Sequence, residues 1–318
     1  MSAAAAAPPP GVLVVDKPAG PTSHDVVARL RRVLGTREVG HAGTLDPAAT
    51  GVLLVAIGEG TKLTTWLGGH DKRYDATVRF GRATATLDAA GETTAVGDAP
   101  PSLALELAAV ARGEAPSGSL ARALDAERAR TEQVPPGVSA IQIGGERAHA
   151  IVRRGETPLL APRAISVRSI AVRGADPSSI ELDVHTSKGF YVRALARDLG
   201  DALGVPAHLE RLRRTASGPF TLADAAPLGA DRDTWLARLV PLAEAASRAL
   251  PVARLTDDGA VRTRHGKKLD AADFDLAPGV GPHAFVDRAG ALVAVGQAEG
   301  DVFRVLRGFG QRTSTDST

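Results

Sequence analysis

Gly40-His41-Ala42-Gly43-Thr44-Leu45-Asp46-Pro47-Ala48-Ala49-Thr50-Gly51 decides how the chain is read. Turn-forming residues crowd this stretch, yet it runs straight into the apolar Val52 to Ile57, the pattern of a loop feeding a buried strand. Glycine at 40, 43 and 51 allows positive φ or close backbone approach, and Pro47 keeps Asp46 out of the α region. A carboxylate is thereby presented from a fixed point. Taken alone, an Asp-Pro pair is a turn whose carboxylate bonds its own backbone, so the neighbouring segments must decide whether Asp46 does more.

Upstream, Gly11 to Val15 reads as a short strand ending in the turn 16–21, and Thr22 or Ser23 caps a helix. In that helix Val26, Val27, Leu30, Val33 and Leu34 recur at helical spacing and Gly35 stops it. Downstream come a short helix around 61–67 and a strand from Arg73 to Phe80, whose Tyr74, Ala76, Val78 and Phe80 share one face. Helices are expected over 102–111 and 120–130. The second, rich in Ala, Arg and Glu, is expected to be an exposed, mildly acidic excursion spanning about 113–132. Strands are expected near 138–143, 164–172 and 180–185, with a Gly144-Gly145 turn after the first. Ser187 to Arg193 leads into a helix with Leu195 and Leu199 inward and Arg193 and Arg197 elsewhere, and a short helix with Leu209 and Leu212 closes this half. Composition shifts after about 248. A short helix from 252 to about 265, then brief strands at 284–287, 291–296 and 302–307, make a small β-rich, barrel-like domain.

The 318 residues, 44% hydrophobic, suffice for a large core and one or two domains. Lys and Arg total 38 against 36 Asp and Glu, a formal charge of only +2, so a polyanion surface must come from placement. Two basic stretches, Arg147 to Arg173 and Lys188 to Arg214, supply it. The absence of cysteine excludes disulfides, zinc thiolates and thiol nucleophiles and fits a reducing cytoplasm. No His-Glu-x-x-His, Gly-x-Ser-x-Gly or complete Walker A sequence occurs, and Gly58 to Lys62 only echoes a phosphate loop. No apolar run approaches the roughly 18 residues of a membrane helix, and Ala3 to Pro10 lacks a signal peptide's basic flank, so residues 1–10 are expected to be a disordered extension.

Several blocks in fixed order now carry a resemblance. Val14-Val15-Asp16-Lys17-Pro18-x-Gly20-Pro21-Thr22-Ser23, the Gly40 to Gly51 stretch and Lys72-Arg73-Tyr74 resemble the TruB-type tRNA pseudouridine synthases. So do Val134-Pro135-Pro136-x-x-Ser139-Ala140, Ser187-Lys188-Gly189-x-Tyr191-Val192-Arg193 and Leu212-Arg213-Arg214-Thr215-x-Ser217-Gly218-Pro219-Phe220. The match covers roughly 11–225, and its order is more specific than any single motif. It implies an α+β fold, a mixed, mostly antiparallel sheet with flanking helices over 11–248, followed by a PUA-like RNA-binding domain over 249–318 with a flexible tail. It also implies isomerisation of uridine to pseudouridine at position 55 in the T loop of tRNA, without cofactor or metal, by a cytoplasmic monomer with no obligatory protein partner.

Uracil must leave C1', rotate and rejoin through C5, which requires a flipped nucleotide, a carboxylate at the sugar and a pocket for the free base. By resemblance Asp46 is that carboxylate, as nucleophile at C1' or as the group driving a glycal-type elimination. Tyr74 would stack on the base and serve in removing the C5 proton. Arg193 would pair with Asp46, a guanidinium being able to offer two parallel hydrogen bonds. His41 would hold the opened T loop or occupy the space left by the flipped base, and Lys17 would contact phosphate or support the structure. Lys188, Tyr191, Arg213 and Arg214 would bind RNA. Arg147-Ala148-His149-Ala150-Ile151 stands where many relatives carry aromatic residues, which weakens stacking there. A guide-RNA-dependent or rRNA pseudouridine synthase is the alternative enzyme. A non-catalytic RNA-binding chaperone is the alternative outside enzymes, though it would have no need of Asp46 beside a phosphate backbone.

Overall fold

A computed structural model of the chain describes residues 6–310 except 140, 144, 145, 148–150, 152, 153, 155 and 157. The expected Gly144-Gly145 turn, Ala140, His149, and the chain ends at 1–5 and 311–318 lie outside the described residues.

Strand β1 (Gly11–Lys17) leads to helix α1 (Ser23–Leu34), β2 (Val39–Ala42), β3 (Thr50–Ile57), α2 (Thr64–Gly68) and β4 (Lys72–Phe80). Thr22 caps α1 in a reciprocal capping box with Asp25, and Gly35 ends it at φ 69°. Helices α3 (Pro101–Ala111) and α4 (Gly118–Arg128) precede strands β5 (Val167–Asp176) and β6 (Ser179–Thr186), helix α5 (Val192–Leu203) and strand β7 (Ala207–Ser217). The central sheet runs β5-β6-β4-β7-β3-β1. It is antiparallel except between β3 and β7 and between β1 and the short strand 226–227. The expected mixed, mostly antiparallel sheet with flanking helices is therefore observed.

Four expectations need correction. Residues 207–217 form a long strand, not a helix: register shifts at Leu209/Arg211 and Arg214/Ala216 insert extra residues. Such bulges let Leu209 and Leu212, three apart, both reach the core, which imitates helical spacing. Helix α4 is not an exposed excursion. Leu120, Ala123, Leu124 and Glu127 are buried, and the apolar residues join Leu103, Leu107 and Val110 of α3 in the core behind β4, β5 and β6. Small alanines conceal this stripe in composition while keeping i, i+3, i+4, i+7 spacing. Within 138–143 only Gln142–Ile143 is strand, paired with Glu146–Arg147. Val252–Leu255 is strand β8, and the helix that follows, α7 (Asp257–Arg264), begins only after the Thr256 cap; α6 (Leu242–Ala249) precedes both.

Residues 252–308 build a separate five-stranded sheet: β8 with β9 (Phe274–Leu276), β10 (His283–Val286), β11 (Leu292–Glu299) and β12 (Val302–Gly308). Alternation along β10 splits its burial. Phe285 packs with Phe274 and Phe303 inside this sheet's own core, whereas Ala284 and Val286 join Val12, Val14 and Leu54 of the central sheet. Among the described residues no helix is long and apolar enough to cross a membrane.

Candidate active site

The site forms where the halves of the central sheet meet. Strands β3 and β7 pair in parallel at only two positions, Thr50 with Arg213 and Gly51 with Arg214, and the loop 43–49 stands over this junction. Gly51 has φ 98°, and a Cβ there would lie 2.2 Å from the carbonyl oxygen of Arg214, so the close approach admits only glycine.

The carbonyls of residues 43–47 are all tied down. Ser23, the first residue of α1, accepts from the Leu45 N–H at 2.9 Å and donates to the Leu45 carbonyl at 3.1 Å. Arg214 donates Nη2 to Gly43 O, Nη1 to Thr44 O and Nε to Val52 O. Lys17 Nζ donates to the carbonyls of Pro18, Pro21 and Pro47 at 2.9, 3.0 and 3.1 Å. The Asp46 carbonyl accepts from Ala49. A loop whose carbonyls are thus occupied has little freedom, so the Asp46 side chain is preorganised. Lys17 and Arg214, 0% and 1% exposed, are thereby internal ties, which for Lys17 is the structural support weighed beside phosphate contact. Burial, aided by Arg214 and opposed by Asp46, brings Lys17 to a pKa of about 8, and burial also lowers that of Arg214.

Arg193 occupies the first turn of α5. Its side chain is only 6% exposed and is aimed into the site, not elsewhere, with Nε 2.9 Å from Asp46 Oδ2. The two-bond fork is not spent on Asp46 alone: Nη1 donates to Thr86 O at 3.0 Å, and Asp88 Oδ2 lies 3.9 Å from Nε. Asp88 is itself held by Thr86 Oγ1 at 2.5 Å and the Ala90 N–H at 3.1 Å. Leu87 between them has φ 61°, a conformation rare outside glycine, which turns the segment toward Arg193. Buried Gln133 fixes the start of α5, accepting from the Tyr191 N–H and donating to its carbonyl.

A cavity of about 310 Å³ brings together Asp46, Tyr74, Lys188, Tyr191, Arg193 and Arg214, with Lys72 and Phe190 also in its walls. Tyr74 and Tyr191, the only tyrosines of the chain, both line it. Burial pushes the Tyr191 phenol up. Besides Lys17, two expected residues stand apart. His41 faces a neighbouring groove of about 1030 Å³ that reaches Lys62 and Phe309. Its imidazole packs edge-on against His24 at 5.2 Å and is held below the ordinary histidine range by burial, His24 and Arg214. Arg213 pairs with Asp16 through both guanidinium arms, at 3.0 and 2.8 Å, beside a groove of about 710 Å³. Sequence reading missed Asp88, Gln133 and Ser23. The only local signal was the turn chemistry of Thr86-Leu87-Asp88-Ala89-Ala90-Gly91.

A carboxylate fixed beside a buried guanidinium, next to an aromatic face and within a cationic cavity, suits attack at a sugar carbon while a flat base is retained. Comparison with known proteins agrees. Residues 31–192 match the TruB family pseudouridylate synthase N-terminal domain, and 193–231 match the tRNA pseudouridylate synthase B C-terminal domain. The chain is 44% identical to tRNA pseudouridine synthase B of Corynebacterium glutamicum (strain R), over 93% of this chain and 95% of that one. It is 46% identical to the protein of that name from Thermobifida fusca, over 81% and 86%. Among solved structures, that of a Cbf5-Nop10-Gar1 complex superposes with a TM-score of 0.71 at 26% identity, covering 94% of this chain and 84% of the other. An H/ACA RNP bound to a substrate RNA containing 2'-deoxyuridine gives 0.70 at 25%, over 95% and 86%. The chain belongs to the TruB family of pseudouridine synthases and is an isomerase.

Proposed function

We propose that this enzyme converts uridine to pseudouridine at position 55 in the T loop of tRNA, with Asp46 acting at C1'. The ion pair between Asp46 and Arg193 inside the tethered loop carries this reading. A flipped uridine closing the cavity excludes water, which strengthens each charge inside it. Arg193 orients the carboxylate and balances its charge. Asp46 then bonds to C1' as N1 departs, or removes the 2' proton. Tyr74, on the buried face of β4, supplies the surface against which the free base turns, and its hydroxyl is available to the C5 proton once C5 has joined C1'.

RNA contacts follow from exposure. Lys188 is exposed beside the cavity and Tyr191 lies in its wall, positions suited to the flanking phosphates and sugar. The groove lined by His41, which neighbours the site, is also walled by Ala291, Leu292 and Phe309, which supports a role for His41 in holding the opened T loop. The same groove supports reading residues 249–318 as a PUA-like domain that extends the RNA contact. The protein acts as a cytoplasmic monomer without an obligatory protein partner. Tritium release from C5-labelled uridine in a T-arm stem-loop tests the reading, with the purified chain alone and chelator present. Release at stoichiometric yield is expected. RNA binding without release would leave only a binding protein, and release that requires added guide RNA would move the substrate assignment.

A further inference from the structure

One charged wall of the cavity has no part in the steps above. Lys72 opens β4 two residues before Tyr74, on the same inward face, and is 8% exposed. Its Nζ donates to the carbonyls of Gly68 and His70 at 2.9 and 2.6 Å. An ammonium has three protons, so one remains. The side chain lies against the catalytic loop, since a Cβ built on Gly43 would stand 3.8 Å from Lys72 Cε. Among the described residues no carboxylate pairs with it: neighbouring Asp71 is engaged by Arg168 at 2.8 Å and Asp46 by Arg193 at 2.9 Å. Of the charged groups acting on it, Arg214 and Lys188 are cations, and only Asp71 opposes them. Burial and Arg214 bring its pKa to about 8.

A buried ammonium lacking a counter-ion is costly. Where such a group faces a reaction cavity, the missing anion is one that forms there during the reaction. We propose that Lys72 stabilises the uracil anion released when the C1'–N1 bond breaks, donating its third N–H to a pyrimidine carbonyl oxygen. This rests on the uridine isomerisation proposed above. As the bond breaks, its electron pair leaves with N1 and spreads onto O2 and O4. C1' meanwhile bonds to the Asp46 carboxylate, or the 2' proton passes to Asp46. The base carries one negative charge until C5 attacks C1' and Asp46 is released, or returns its proton. The C5 proton is then lost and N1 is protonated. Lys72 keeps its proton throughout. A backbone phosphate is the poorer partner, because it meets exposed Lys188 at the rim, whereas Lys72 is buried beside Tyr74.

The test compares wild type, Lys72→Met and Lys72→Arg as full chains in single-turnover conversion of saturating T-arm RNA, with RNA affinity measured separately. Lys72→Met is expected to slow conversion at least about 100-fold while the RNA Kd stays within about threefold, and Lys72→Arg to recover at least about tenfold of the loss. A second arm replaces the target by 5-fluorouridine, whose base departs more readily because fluorine stabilises its anion. Cleavage of the N-glycosidic bond, read by nuclease digestion and mass spectrometry, should then show a Lys72→Met loss at least about tenfold smaller than on uridine. Equal losses on both substrates, a loss residing in Kd, or no loss would overturn the assignment. If Lys72→Met fails to fold, Lys72→Gln, which still donates to one carbonyl, carries the same comparison. A wild type that converts neither RNA would overturn the proposed function, and this assignment with it.

Discussion

Two charged regions lie on the same sheet and are neutralised in opposite ways. On the outward face of β4 to β7, each arginine meets a carboxylate. Arg73 and Arg173 both bind Asp183, Arg79 binds Glu210 and Arg211 binds Glu181, with Arg213 and Asp16 continuing the pattern at the edge. In the cavity, the hydrogen bonds of Arg214 and Lys72 go to main-chain carbonyls, and among the described residues Asp46 pairs only with Arg193. Carbonyls satisfy hydrogen bonds without cancelling charge. The outward face therefore offers a polyanion little net attraction, whereas the cavity keeps a positive potential for the nucleotide that enters it. Arginine count along the sequence does not separate the two regions; the partners do.

Breaking the cavity's ion pair should have the largest effect. Arg193→Ala is expected to lower single-turnover conversion by at least about two orders of magnitude, and Arg193→Lys by less, since it keeps charge but loses the contact to Thr86. Measuring RNA affinity alongside isolates the effect on chemistry; an Ala variant slowed only through weaker binding would contradict the pairing's role. Next comes Asp88→Asn, which leaves the cavity walls in place but removes the second carboxylate beside Arg193. A loss of about tenfold in kcat is expected, with Kd unchanged, as for a group that orients another. No change in kcat would reduce Asp88 to a loop tie.

These expectations also show how far the sequence could be read. That Asp46, Tyr74 and Arg193 share one cavity was to be expected from the ordered blocks, in which residue type, order and spacing are fixed together. That Lys17 and Arg214 tie the loop internally was less legible, because one carbonyl partner of Lys17 lies 30 residues away and those of Arg214 in the loop about 170, which leaves no trace in side-chain pattern. Asp88 was hidden for the same reason, its value depending on a positive φ at Leu87. The fold class followed from the resemblance carried by the ordered blocks, but β7 was not legible, since its bulges replace a period of two by a spacing of three.

A smaller effect should appear in stability. Lys17 has a folded pKa of about 8 against an ordinary 10.5. Between those values the unfolded chain holds the proton and the folded one does not, so stability rises with pH across this window and the gain is lost as pH falls through 8. Lys17→Met removes this dependence while leaving three carbonyls unpaired. Denaturant titrations at pH 7.5 and 9.5 should therefore show the variant less stable at both, by an order of 1 to 3 kcal/mol at the lower pH. The deficit should widen at the higher pH, and one that narrows would contradict the sign. Least affected should be Glu181→Gln on the outward face. Both partners there are more than half exposed, so stability should change by less than about 1 kcal/mol and conversion not at all. A marked loss of conversion would make that face part of the RNA surface and erase the contrast.

The central claim is that Asp46, presented by a tethered loop and paired with Arg193, performs the chemistry in a cavity that binds RNA without it. Asp46→Asn is nearly isosteric and removes only the carboxylate. Conversion of C5-tritiated T-arm RNA by this variant, measured under single-turnover conditions with RNA affinity determined on the same preparation, should fall to background while Kd stays within about threefold of wild type. Retained tritium release, after mass spectrometry excludes deamidation back to Asp46, would contradict the account.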